Sequence, residues 1–296
     1  MDSGGDTGPK QGLTGRGGER VLPPGFGEAA MRIGVLGCAG RMGRANLREI
    51  LGSRGVTLSG GVDRPGHAAT GEDLGTLAGL DPIGRRAGDD AAALITASDV
   101  VIEFSAPEAT LAHARICAEC RCAHIVGTTG LEPAQEAELR RLAAHTPIVW
   151  AANMSLGVNL LLGLVRQVAG ILDEAYDIEI VELHHKHKVD APSGTALALG
   201  RAAAAGRGVD PAASWVRARD GVTGPRVAGS IGFAVLRGGD AVGDHTVMFA
   251  GEGERIELTH KASDRRIYAR GAVRAARWAV GKPAGLYGMA DVLGLS

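Results

Sequence analysis

The stretch MRIGVLGCAGRMGRANLREILGS, residues 31–53, decides how the chain is read. Residues 31–37 are a short apolar run holding Ile33 and Val35, the pattern of a buried strand. Residues 41–53 carry apolar side chains at helical spacing. Between them stand Gly37, Gly40 and Gly43, a GxxGxxG turn instead of the usual GxGxxG. Glycine lets the backbone approach a pyrophosphate there, and the N–H groups that open the helix point at it. In a chain with 46 glycines such a turn is weak evidence by itself. Its setting is stronger. Asp63 closes the next strand candidate, VTLSGGVD, 20 residues after Gly43. An acid there can accept hydrogen bonds from adenosine ribose hydroxyls, and Arg64 beside it can meet a 2′-phosphate instead. A strand-capping acid and a solvated arginine are the plain alternative. The pair admits both NADH and NADPH as cofactors.

Outward from this unit the same rhythm continues. DVVIEFS (99–105) is followed by helical PEATLAHARICAEC (107–120), AHIVGTTG (123–130) by PAQEAELRRLAAH (133–145), and PIVWAAN (147–153) comes next. Strands alternating with helices predict βαβ units and a parallel, doubly wound α/β sheet. Ligands sit at the carboxyl ends of such strands. Gly127, Thr128 and Thr129 end one; Ala151, Ala152, Asn153 and Met154 end another. Small and polar residues there leave room for a nicotinamide.

After Asn153 the pattern changes. A helix over 155–172 leads into the strand DIEIVELHH (177–185), and SWVRAR, GSIGFAVLRG, DHTVMFAG and ERIELTHKA read as strands with few helices between them. That predicts a second, α+β domain with a mixed or antiparallel sheet. The terminal run DRRIYARGAVRAARWAVG is helical again and is expected to dock back on the first domain. The expected division is 31–154 for dinucleotide binding, completed by helices within 265–296, and 155–264 for the second domain. Residues 1–30, with nine Gly, three Pro and no apolar periodicity, read as a disordered extension.

Composition narrows the function. Thirty-two Lys and Arg against 33 Asp and Glu give a net charge of −1, which offers nucleic acid or an anionic membrane no attraction. Aromatics at 3% also argue against base-stacking platforms. No run reaches the roughly 18 apolar residues of a membrane helix. Cys38, Cys117, Cys120 and Cys122 contain one CxxC with no second pair, so reduced thiols of a cytoplasmic protein are expected before a zinc site.

ELHHKHKVDAPSGTA, residues 182–196, carries the chemistry. A lone histidine is usually structural, and a solvated basic patch is the plain reading even of His184, His185 and His187. Zinc or nickel is a rival ligand, but Lys186 and Lys188 intrude and no recognised ligand spacing completes a set. Ser193, Gly194 and Thr195 open a helical run. A helix N-terminus beside Lys188 makes a carboxylate site, and next to a nicotinamide that means reduction of a small anionic substrate with proton delivery.

These motifs resemble the 4-hydroxy-tetrahydrodipicolinate (dihydrodipicolinate) reductase family. The resemblance rests on GCAGRMGR, IVGTTG, AANMSLGVN, ELHHKHKVDAPSGTALALG, GSIGFAVLRGGDAVGDHTVMF and ERIELTHKASDR, in family order from about Met31 onward. It implies a Rossmann-like cofactor domain, a mixed-sheet domain that binds a dicarboxylate substrate, and a homotetramer. It implies His184 as proton donor with Lys188, and His185, Lys188, Gly194 and Thr195 as substrate contacts. Cofactor contacts carry over to Gly37, Cys38, Ala39, Gly40, Arg41 and Met42, to Asp63 and Arg64, to Gly127–Thr129 and Ala151–Met154, and to Arg265. No metal is implied. Met154 stands where many members have Phe, and Ala106 where some have Arg.

Overall fold

The computed structural model describes Met1 and residues 30–295, so the extension expected over 1–30 lies almost wholly outside the described residues. The first half runs β1 (Met31–Leu36), α1 (Arg41–Leu51), β2 (Val56–Val62), α2 (Leu74–Leu77), α3 (Ala91–Thr96), β3 (Val100–Glu103), α4 (Pro107–Cys120), β4 (Ala123–Val126), α5 (Pro133–Leu142) and β5 (Pro147–Trp150). The second runs α6 (Leu156–Ile171), β6 (Asp177–His184), α7 (Gly194–Arg207), α8 (Pro211–Ser214), β7 (Trp215–Val216), β8 (Ile231–Arg237), β9 (Gly243–Gly251) and β10 (Glu254–Ala262). The chain closes with α9 (Arg266–Ala279), β11 (Gly285–Tyr287) and α10 (Met289–Leu293).

The first sheet has the order β11-β5-β4-β3-β1-β2, and every pairing in it is parallel. β3 and β4 are buried along their whole length, which is why they read as unbroken apolar runs. The second sheet is mixed, with order β10-β9-β6-β8-β7. There β6 pairs antiparallel with β9 and parallel with β8. Burial alternates strictly along β6, so Ile178, Ile180, Glu182 and His184 share its inner face. α6 and α7 cover that face, with Leu161, Val165, Leu199 and Ala203 packed on Ile180, Phe233 and Val247.

α9 returns to the first sheet. Its Ala272, Val273 and Ala276 join the core of Ile33, Ile102 and Ile125. The contact is close enough that a Cβ on Gly271 would collide with the Met154 carbonyl. Two readings change in detail. The C-terminal segment expected to be helical contains β11, which extends the parallel sheet beyond β5. SWVRAR contributes only the two residues of β7. Among the described residues no helix is long and apolar enough to cross a membrane.

Candidate active site

The glycine turn is held by backbone. Gly37 N–H and Cys38 N–H both donate to the Val62 carbonyl at the end of β2, at 2.9 and 3.0 Å. Gly37 has φ +72°, and a Cβ on Gly43 would collide with the Gly37 carbonyl oxygen, so α1 starts where only glycine fits. Asp63 belongs to the same loop system: Oδ2 accepts from Ala39 N–H at 3.1 Å and Oδ1 from Arg64 N–H at 2.9 Å. Gly37, Gly40, Asp63 and Arg64, with Phe104 and His113, border a cleft of about 670 Å³. Arg64, Gly40 and Arg41 are exposed around it, and Met42 is half-buried. A concave cleft at the strand ends, with a glycine turn and an acid–base pair at its rim, fits the phosphates and ribose of a nicotinamide dinucleotide.

Other expected cofactor residues take supporting positions. Cys38 lies in the core, where burial and then the nearby Asp63 charge push its thiol up to about 12. Met154 is 1% exposed and packs in the same core, so its side chain does not lie open to a nicotinamide; only its backbone is at hand. Thr128 is buried too, its Oγ1 accepting from Ser105 N–H at 3.1 Å and Thr110 Oγ at 2.8 Å. It thereby ties the loops after β3 and β4 together. Gly127 leaves room for the Phe104 ring, while Thr129 and Ala152 are exposed.

Beneath this cleft lies a charged group that no motif announced. Glu103 and His124 are both fully buried. Glu103 Oε2 stands 2.7 Å from His124 Nε2, and Oε1 stands 2.8 Å from His113 Nδ1 and accepts from Ser105 Oγ. Burial alone would raise this carboxyl, but the bonds from His113 and His124 outweigh it and hold it at about 2. The available signal was an acid ending a strand otherwise buried throughout, since an acid is rarely buried without a partner.

The second sheet builds the other half of the site. β6 ends at His184, and His185–Lys188 turn back: His185 N–H donates to the Ala241 carbonyl at 2.8 Å and Lys188 N–H to the His185 carbonyl at 3.1 Å. Lys188 Nζ meets Asp190 Oδ1 at 2.6 Å. Ser193 caps α7, its Oγ accepting from Ala196 N–H at 3.1 Å, which leaves exposed Gly194 and half-buried Thr195 at the helix mouth. Thr195 Oγ1 accepts from Asn153 Nδ2 at 3.2 Å, joining the loop after β5 to that mouth. Arg265 lies with His185, Lys186 and His187 around an open pocket of about 540 Å³ that shares no lining residue with the glycine-turn cleft.

Behind the histidine loop is a buried cluster. Glu182, His184 and His245 are 1%, 7% and 4% exposed. Glu182 Oε2 is 3.6 Å from both His184 Nδ1 and His245 Nε2, and its two oxygens accept Ser193 N–H at 3.0 and 3.2 Å. Arg237 adds an ion pair at 3.5 Å. The His184 and His245 rings meet edge-on with centroids 5.0 Å apart. Burial pushes Glu182 up, but hydrogen bonds from His245 and Ser193 prevail and hold it at about 2. Burial pushes His184 down to about 4; Glu182 opposes this, while His245, Lys188 and Arg237 reinforce it. Donor atoms of Glu182, His184 and His245 lie within 4.8 Å of one another, a spacing a cation could use. Yet Glu182 is already occupied by the Ser193 amide and the Arg237 guanidinium, and two cationic side chains stand beside the group. The arrangement is that of a hydrogen-bonded cluster with the cations Lys188 and Arg237 beside it.

A doubly wound parallel sheet with a glycine-turn cleft, joined to a mixed sheet that carries a basic, proton-bearing pocket, defines a Rossmann-type oxidoreductase. The chain belongs to the dihydrodipicolinate reductase family: residues 31–154 match the model described as its N-terminus and residues 157–293 the one described as its C-terminus. It is 57% identical over 268 residues to the 4-hydroxy-tetrahydrodipicolinate reductase of Parvibaculum lavamentivorans, covering 90% of this chain and 99% of that one. The enzyme of the same name from Agrobacterium fabrum is 53% identical, over 92% of this chain and 99% of its own. Among solved structures, a dipicolinate-bound dihydrodipicolinate reductase from Paenisporosarcina sp. TG-14 superposes with a TM-score of 0.71 at 21% identity, over 89% of this chain and 99% of that one, a likeness of fold.

Proposed function

We infer that the chain is an NAD(P)H-dependent reductase that converts 4-hydroxy-tetrahydrodipicolinate, with loss of water, to tetrahydrodipicolinate in lysine and diaminopimelate biosynthesis. The observation that carries this reading is the Asn153–Thr195 hydrogen bond, which sets the mouth of α7 and its basic loop at the carboxyl end of β5.

The residue roles are proposals. Gly37–Met42 cradle the pyrophosphate, Asp63 and Arg64 read the adenosine ribose, and Gly127–Thr129 with Ala151–Met154 border the nicotinamide. Met154 contributes backbone to that border. Arg265, beside His185 and His187, is proposed as a further cofactor contact at the edge of the substrate pocket. The cofactor, when bound, supplies the hydride that the ring accepts at C4. The chain's own residues do the rest. Gly194 and Thr195 offer N–H groups at a helix start, where a carboxylate is favoured. Lys188 and His185 hold the second carboxylate. His184 delivers the proton, with Lys188 assisting. In the free protein His184 is pushed down to about 4, largely by burial, and a dianionic substrate arriving beside it favours the protonated form. We further propose that residues 31–154 with 265–296 form the cofactor domain and 155–264 the substrate domain, and that the enzyme works as a cytoplasmic homotetramer.

The test is oxidation of NADH and of NADPH with substrate made freshly from aspartate semialdehyde and pyruvate. Turnover that needs both substrate and cofactor supports the reading. A protein that oxidises neither cofactor, or that hydrolyses a substrate only with bound zinc, contradicts it.

A further inference from the structure

A pocket for a dianion has no evident use for a buried carboxylate. Glu182 is nevertheless 1% exposed, two residues before the proposed proton donor and on the same face of β6. Burying a charge is tolerated only when it is paired and hydrogen-bonded. Glu182 is both: Ser193 N–H and Arg237 meet its oxygens, and His184 Nδ1 and His245 Nε2 stand at 3.6 Å. His184 Nδ1 is itself fully buried and has no hydrogen-bond partner, with Glu182 Oε2 facing it at 3.6 Å. The ring's other nitrogen, Nε2, lies against Gly243, where a Cβ would stand 2.9 Å away.

We propose that Glu182 is a positioning residue for the reduction: it holds a proton on His184 Nδ1, which fixes the ring's orientation and leaves Nε2 to serve the substrate. Through Ser193 and His245 it also locks the start of α7 to β6 and β9. This rests on His184 being the proton donor. The groups facing His184 are Glu182 from its own strand, His245 from β9, Lys188 from the loop and Arg237 from β8. Glu182 is the one anion among these four, so it alone favours a protonated His184 until substrate arrives. A donor oriented by an adjoining carboxylate recurs in catalytic histidines generally, because the second partner decides which nitrogen is free.

The experiment compares kcat–pH profiles of wild type, Glu182→Gln, Glu182→Asp and His184→Gln, each with cofactor saturating. The alkaline limb of kcat reports the acid that must be protonated in the complex. Glu182→Gln should lower kcat at neutral pH about tenfold or more and move that limb to lower pH by about one unit, since an opposing charge within 4–6 Å is worth about that much. Glu182→Asp keeps the charge and should keep the limb in place while restoring part of kcat. An unmoved limb in Glu182→Gln, with only KM or melting temperature changed, would reduce Glu182 to a structural role. A His184→Gln variant that retains both kcat and limb would sink the parent reading instead. Should Glu182→Gln fail to fold, nitrogen NMR of wild-type His184 decides: a neutral ring carrying its proton on Nδ1 agrees with the proposal, and one carrying it on Nε2 overturns it.

Discussion

Asn153 Nδ2 donates to Thr195 Oγ1 across 3.2 Å, and this bond joins the loop after β5 of the parallel sheet to the first turn of α7. Asn153 is itself held, its Oδ1 accepting Ser155 N–H at 2.9 Å and its carbonyl accepting from Asn159 Nδ2 at 2.8 Å. One side chain thus links the proposed cofactor loop after β5 to the proposed substrate site at the start of α7. A single such bond is worth about 0.5–1.5 kcal/mol. Asn153→Ala should therefore lower kcat/KM about two- to tenfold with little change in melting temperature. Steady-state kinetics with a thermal melt checks this; an unchanged kcat/KM would mean that the halves are aligned by other contacts.

Asp63 and Arg64 should divide the two cofactors between them. Arg64→Ala removes the cation proposed to meet a 2′-phosphate, so it should weaken NADPH and spare NADH. Asp63→Ala removes the ribose acceptor and also frees Ala39 N–H, so it should weaken NADH most and NADPH to a lesser degree. For wild type, kcat/KM values for the two cofactors should lie within about two decades, a gap of about 2.8 kcal/mol. Calorimetric Kd values for both cofactors in both variants test the division, and equal losses throughout would show that these residues do not read the ribose.

Replacing Gly243 should cost both rate and stability. A methyl group there would stand 2.9 Å from His184 Nε2 and 3.4 Å from the His245 ring, on a backbone at φ +158° that side chains rarely adopt. Gly243→Ala is expected to reduce kcat at least about tenfold while cofactor affinity stays unchanged. Normal kcat in this variant would place His184 Nε2 outside the reaction.

The Glu103 pair predicts an acid-labile first domain. Its carboxyl is held at about 2 in the folded chain against an ordinary value of 4.5, so its contribution is complete above about pH 4.5 and disappears as pH falls toward 2. The shift corresponds to roughly 3 kcal/mol. Glu103→Gln should lower the melting temperature at neutral pH, and the gap from wild type should close below pH 4. A constant gap across that range would mean that the carboxylate's charge plays no part.

The sequence exposed what is local. The change from a short apolar run to helical spacing across Gly37–Gly43 revealed β1 and α1, and the run DIEIVELHH revealed β6. What it hid depends on pairing. Glu182 meets His245 because β6 and β9 run antiparallel in a register that sets these two residues opposite each other, and nothing local to either strand states that register. Glu103 and His124 meet across the parallel pair β3 and β4, where His124 lies opposite Val101, two residues before Glu103 and on the same face of the strand. β11 escaped because three residues, Gly-Leu-Tyr, are too few to show any period; it exists by pairing with β5. Met154 was placed by its neighbours along the chain, whereas the arrival of α9 decided its burial.

The most direct test of the account is kcat, at saturating substrate and cofactor, for His184→Ala and Lys188→Ala, measured alongside cofactor Kd. Loss of a positioned proton donor costs about 10²- to 10⁴-fold in rate. Falls of that size in kcat with cofactor Kd unchanged, and a raised KM in Lys188→Ala, are the predicted result. Near wild-type kcat in either variant would contradict the assignment of that residue.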